Sequence, residues 1–222
     1  MPCSSPPDSV APASATYLRT VAGVDLWRVH LDVADPAAAA ILAPEERARA
    51  ARFAFEHLRR RFVVGRATVR RVLAGYVGRA PESLAFVSGA HGKPSLPGGP
   101  PFSFSNSQGC GLLGVGGERE IGVDLESLRE VPDAAGVAGC AFTPDERAAW
   151  LAAGGDGSAF LRVWTRKEAA LKALGVGLAG EGTLARSGNR DARAEAMVQV
   201  LALDFYPEHA AALAIAGPVR RG

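Results

Sequence analysis

SAFLRVWTRKEAALKALG, residues 158–175, reads as one amphipathic helix from about Ser158 to Leu174. At about 100° per residue, Phe160, Leu161, Val163, Trp164, Leu171 and Leu174 fall on one apolar arc. Glu168 and Lys172 are four residues apart, so they share a helix face, and they lie along the edge of the arc rather than opposite its centre. Such an edge either lines a cleft or carries a surface ion pair worth a few tenths of a kcal/mol. Lys167 falls inside the arc, where its charge needs a partner or must snorkel to water. The helix should stop at the GVG of 175–177.

Working outward, FTPDERAAW (142–150) opens a short helix, with the Thr143 hydroxyl as cap and Pro144 in the first turn. IGVDLE (121–126) reads as a strand. Residues i and i+2 of a strand point to the same face, so Asp124 and Glu126 project together. That arrangement suits a hard divalent cation such as Mg²⁺, although a D-x-E pair also occurs in ordinary polar strand ends. Strands are expected at 84–88, 101–106 and 110–115, between turn-rich segments. In these segments Lys93 of GKP sits in a stiff turn where its ammonium can meet a phosphate, and Ser105, Asn106 and Ser107 offer neutral hydrogen-bonding groups.

VDLWRVHLDV (24–33) alternates closely enough to predict a strand, with an irregularity near Trp27 and Arg28. Residues 44–76 show helical spacing and predict one long helix or two in succession. Closing strands are expected in MVQVLALDF and AAALAIAG. The chain thus reads twice as strand, helices, strands, which predicts an α+β fold of two lobes: a mobile leader at 1–16, an N-terminal lobe at 17–115 and a C-terminal lobe at 116–222.

With 222 residues, 48% apolar and 22% charged, the chain can bury a core and is neither disordered nor fibrous in composition. No stretch has the length and hydropathy of a membrane span, and the first residues lack the pattern of a signal peptide. Cys3, Cys110 and Cys140 form no disulfide framework or zinc pattern, which points to a reducing, cytoplasmic location. Residues 45–71 hold nine arginines and three glutamates, +6 in a chain of formal net charge +2. Such a segment is either a solvated helix face or a surface for phosphates or an acidic protein. Nucleophile–base spacing, a Walker A loop and a dinucleotide fingerprint are all missing.

Taken in order, GKP, FSFSNS, IGVDLE, FTPDE and WTRKEAALKALGVGL resemble the Sfp-type 4′-phosphopantetheinyl transferases, best over residues 44–178. The resemblance implies two α+β lobes related by a pseudo-twofold axis. It also implies transfer of 4′-phosphopantetheine from coenzyme A to a serine of an acyl or peptidyl carrier protein, with Mg²⁺, by a cytoplasmic monomer. Asp124, Glu126 and Glu168 resemble the metal carboxylates, and Glu168 also resembles the base. Lys172 resembles the lysine that steadies the phosphates. Arg49, Arg61, Lys93 and Ser105 match coenzyme A positions, and Glu146 an acidic position near the centre. Asn106 replaces the family's imidazole, and Glu46 stands where a lysine is common. These departures support a second reading, a carrier-binding protein with impaired coenzyme A use or another donor. Binding to nucleic acid through the arginine-rich helix is a third reading, which no groove-reading motif supports, and no membrane partner is expected.

Overall fold

The computed structural model describes residues 12–89, 91–117, 119–176 and 198–217. Its secondary structure is mixed, and the class is α+β. Contacts divide the chain into two compact units, one of Met1–Ser88 with Pro94–Glu118, the other of Gly89–Lys93 with Arg119–Gly222.

In the first unit, β1 (Ala15–Val21), β2 (Val24–His30), β5 (Phe102–Ser107) and β6 (Cys110–Gly116) form an antiparallel sheet in the order β1-β2-β6-β5. The predicted helical stretch is two helices, α1 (Pro44–Ala50) and α2 (Glu56–Val77). Trp27, Val29, Leu31, Leu113 and Val115 share a core with Val69, Val72 and Leu73 of α2. The alternating side chains of the sheet thereby meet the helical stripe. The pair β3 (Val87–Ser88) and β4 (Pro94–Ser95) completes the unit.

The irregularity expected near Trp27 and Arg28 is a register shift in the β1–β2 pairing: Tyr17 pairs with Trp27 and Arg19 with Leu26, so the extra residue is on β1. One expectation is corrected here: the leader is not free as far as residue 16. Ser14 is buried with its hydroxyl 2.6 Å from that of Thr68, His30 N–H donates to the Ser14 carbonyl, and β1 begins at Ala15. Residues 1–11 lie outside the described residues.

In the second unit, β7 (Ile121–Ser127), β8 (Val198–Ala202) and β9 (His209–Ala216) form an antiparallel sheet in the order β7-β9-β8. Among the described residues three helices accompany it: α3 (Ala134–Ala141), α4 (Pro144–Ala152) and α5 (Gly157–Leu174). As predicted, Thr143 caps α4. Its hydroxyl accepts from Glu146 N–H, and the Glu146 carboxylate accepts from Thr143 N–H, a reciprocal capping box. The α5 helix begins on Asp156, which accepts from Ala159 N–H, and ends where Gly175 takes φ +68°, a left-handed conformation that glycine adopts without strain. Residue 177 of the expected GVG stop lies outside the described residues.

Candidate active site

The second unit brings IGVDLE and the 158–175 helix together, and a glycine makes that possible. A Cβ on Gly122 would lie 2.0 Å from the Ala169 carbonyl oxygen, 2.5 Å from Ala173 N and 2.8 Å from Lys172 Cβ. The α5 backbone therefore rests directly on β7. The helix face against the sheet is small, with Ala169 and Ala173 packed on Ala212 and Ala214. Weakly hydrophobic alanines add little to an apolar arc, so the sequence pattern brought out the bulky residues and missed this seam. Near the other end of α5, a Cβ on Gly157 would lie 2.6 Å from the Arg129 carbonyl oxygen. The helix accordingly runs antiparallel to β7, and Glu168 falls between those two points of close approach, on the stretch passing alongside Asp124 and Glu126.

Gly122, Asp124 and Glu126 alternate onto one face of β7, the face on which α5 rests. Asp124 is buried, 5% exposed. Lys172 Nζ donates to Asp124 Oδ1 at 2.6 Å and to the Val123 carbonyl at 3.3 Å. Glu126 is half-buried, with Arg129 Nη1 3.0 Å from its Oε2. Glu168 and Lys172 are both half-buried, as their place on the edge of the arc predicts. Lys167, the cation inside the arc, meets Glu146 Oε2 at 2.9 Å, so the same carboxylate that caps α4 neutralises it.

Asp124 and Glu126 each lie against a cation of the protein, and among the described residues no three His, Cys, Asp or Glu side chains are grouped closely enough to hold a metal ion. The donor chemistry nevertheless suits a hard cation. It consists of carboxylate oxygens, two of them on one strand face, in a site whose negative charge already draws an ammonium to 2.6 Å.

Lys93 also belongs to the second unit. Its ammonium lies 2.6 Å from Glu120 Oε2 and 2.9 Å from the Ile121 carbonyl, which ties the GKP turn to the start of β7.

The remaining predicted positions belong to the first unit. Ser105 is buried on β5, and Asn106, its neighbour, points to the other face and is exposed. The Arg61 guanidinium is held in a fork by Asp32, at 2.7 and 2.8 Å. That hydrogen-bonded contact outweighs the cost of burial and keeps the Asp32 carboxyl below its ordinary value of 3.8. Gly109 leaves room for the pair, because a Cβ there would lie 2.1 Å from Asp32 Oδ2. The Arg49 guanidinium lies over the Phe62 ring, 5.2 Å from its centroid.

Glu46 does not face out toward a ligand. It is buried, accepts from Ala43 N–H at 2.9 Å, from Arg66 Nε at 2.7 Å and from Arg70 Nε at 2.7 Å, and so serves as a structural hub. Burial alone would raise its pKa. The Arg66 charge, the Ala43 N–H and the hydrogen bonds from Arg70 and Arg66 together hold it below the ordinary 4.5. Arg71 pairs with Asp35 and Arg59 with Glu56, so much of the arginine-rich segment is already matched by acids. The sequence reading missed this pairing because Asp32, Asp35 and Glu46 lie 20 to 36 positions from their partners and no local spacing links them.

Comparison with known proteins agrees with the strand and helix that build this site. Residues 120–210 match the 4′-phosphopantetheinyl transferase superfamily, a span that contains Asp124, Glu126, Glu168 and Lys172. The chain is 36% identical over 208 residues to the 4′-phosphopantetheinyl transferase HetI of Nostoc sp. (strain PCC 7120), covering 87% of this chain and 88% of that protein. It is 29% identical over 137 residues to the 4′-phosphopantetheinyl transferase psf-1 of Bacillus pumilus, covering 60% of this chain and 58% of that one. With nearly its whole length aligned to one such enzyme and its candidate site inside the family match, the chain belongs to the 4′-phosphopantetheinyl transferase superfamily.

Proposed function

We propose that this transferase moves 4′-phosphopantetheine from coenzyme A to a serine hydroxyl of an acyl or peptidyl carrier protein, with Mg²⁺. The observation that supports the reading is that Lys172 Nζ lies 2.6 Å from Asp124 Oδ1, with Glu168 one turn before Lys172 on the same face of α5. In this reading the serine oxygen attacks the β-phosphorus and the bond to the bridging oxygen breaks. Adenosine 3′,5′-bisphosphate leaves, and the serine proton passes to Glu168. The Lys172 ammonium offsets charge on the phosphates as the leaving group departs. Asp124, Glu126 and Glu168 would hold Mg²⁺, which when bound neutralises the pyrophosphate so that an alcohol can approach it.

Lys93, Arg49, Arg61, Ser105 and Asn106 are assigned to coenzyme A. At position 106 an amide can donate a hydrogen bond but cannot become cationic, which lowers affinity by about 1 kcal/mol relative to a charge-assisted contact. The two lobes are read as pseudo-symmetric and the enzyme as a cytoplasmic monomer. No helix among the described residues is long and apolar enough to cross a membrane, and Cys110 and Cys140 are free thiols.

The reading is tested by following adenosine 3′,5′-bisphosphate by chromatography in the presence of apo-carrier and of the same carrier with its acceptor serine changed to alanine. Release with the first and none with the second is expected. Release that ignores the serine contradicts the acceptor assignment. A carrier-binding role without transfer would appear as carrier affinity with no release at all.

A further inference from the structure

Lys167 immediately precedes Glu168 on α5 and shares a helix face with Val163 and Trp164, four and three residues before it. Those two pack on a core that includes Phe142 and Phe160, whose rings stack with centroids 4.8 Å apart. The Lys167 side chain is itself only 11% exposed. A lysine in such a place costs desolvation unless it is paired. Its ammonium meets Glu146 Oε2 at 2.9 Å, and the same oxygen accepts from Thr143 N–H at 2.8 Å. The pair thereby ties α5 to the first turn of α4. A leucine or methionine would fill the position by packing alone, and replacing a buried pair by apolar groups is often neutral or stabilising. Folding therefore does not account for a charge here.

The place of the pair relative to Glu168 sharpens the point. At about 100° per residue, Lys172 lies about 40° from Glu168 to one side around the helix and Lys167 about 100° to the other. Lys172 is drawn to Asp124 on β7 at 2.6 Å and Lys167 to Glu146 on α4. An ion pair therefore holds α5 on each side of Glu168. The seam on β7 is made of Gly122, Ala169 and Ala173. Small residues allow close approach but offer no ridges to interlock, so the seam resists rotation of the helix about its axis only weakly.

We infer that the Lys167–Glu146 pair positions Glu168: it sets the rotation of α5 about its axis, and with it the direction in which the Glu168 carboxylate leaves the helix. The inference rests on the proposed function for what Glu168 does. Lys167 and Glu146 are positioning residues, acting through Glu168. A shift of a reacting group by about 1 Å costs up to about 10²-fold in rate, so a modest rotation is enough to matter.

The test compares the full-length wild type with Lys167→Met, Lys167→Arg and Glu168→Gln on an apo-carrier with coenzyme A and Mg²⁺. Methionine has the length and flexibility to fill the place of the lysine stem, and Glu146 keeps its bond to Thr143, so the thermal midpoint of Lys167→Met should hold or rise. Its kcat should nevertheless fall about tenfold or more, with the Kd for coenzyme A, measured by calorimetry, within about twofold of wild type. Lys167→Arg retains a charge-assisted partner for Glu146 and should stay within about threefold of the wild-type kcat. A role in stability alone predicts the reverse, a lower midpoint with kcat unchanged. If Lys167→Met does not fold, Glu146→Gln decides. It keeps the capping box, reduces the pair to a neutral hydrogen bond and should lower kcat about threefold or more. Wild-type kcat in the deciding variant, or a loss in Lys167→Arg as large as in Lys167→Met, overturns the positioning role while the transferase reading stands. If Glu168→Gln is fully active, or wild type modifies no carrier, the proposed function itself fails and the inference fails with it.

Discussion

At the scale of single residues, the proposed chemistry rests on Glu168, Asp124 and Lys172. Glu168→Gln keeps the shape and hydrogen-bonding atoms of the side chain but removes its capacity to take a proton. The expected result is a drop in turnover of at least about 10²-fold, with circular dichroism and thermal midpoint unchanged; full activity would remove Glu168 as the base. Glu46 makes the opposite kind of prediction, one about stability. Arg70 is 1% exposed, and Glu46→Ala leaves its guanidinium buried without that carboxylate, at a cost of about 3–5 kcal/mol at neutral pH. The sign of the pH dependence follows from the depressed Glu46 pKa. The unfolded chain binds the Glu46 proton more readily than the folded one. The ion pair's stabilisation is therefore present above the ordinary value of 4.5 and is lost as pH falls through the lower folded value. Denaturation midpoints of wild type and variant should converge as pH is lowered, whereas a gap that persists well below 4.5 would contradict the assignment.

Among the elements, the seating of α5 on β7 matters most. The seam of Gly122, Ala169 and Ala173 lets a helix backbone approach a strand, and that approach puts the acidic face of β7 beside the edge of the helix. Gly122→Ala forces the helix away from the strand. It should cost about 1–3 kcal/mol as an overpacking strain, and it should lower turnover by more than that loss of stability explains, because Glu168 and Lys172 move with the helix. Variants with wild-type activity would separate the seam from the site.

The elements were unevenly legible from sequence. Strong signals were read correctly: the Thr143-Pro144 cap, the 3.6-residue period of α5 and the alternation of β7. The helix α3 was missed because AAGVAGCA (134–141) has almost no amphipathic pattern. The strand β1 was missed in part because it follows a run of Pro, Ser and Ala that reads as an unstructured start. The irregularity near Trp27 was legible as to place, but not that its extra residue belongs to β1, since a register shift involves a pair of strands and only one was in view.

For the whole molecule, the family was legible from the order of five short motifs, and the alignment over 87% of the chain agrees with it. Of the candidate site, the faces that carry its residues were legible, but not their pairings. Spacing placed Asp124 and Glu126 on one face and Glu168 and Lys172 on another. That Lys172 reaches Asp124, or that Glu46 turns inward onto Arg66 and Arg70, depends on contacts 20 to 48 positions apart, which no local pattern encodes. The same pairings change the meaning of the arginine-rich segment. Much of its charge holds the first unit together.

The most direct test of the central claim is the intact mass of an apo-carrier protein after incubation with this enzyme, coenzyme A and Mg²⁺, with and without a chelator. The account predicts a gain of one phosphopantetheine arm, lost with chelator and restored by excess Mg²⁺. A carrier mass that never changes while a control transferase modifies the same carrier, or a gain that the chelator leaves untouched, would contradict it.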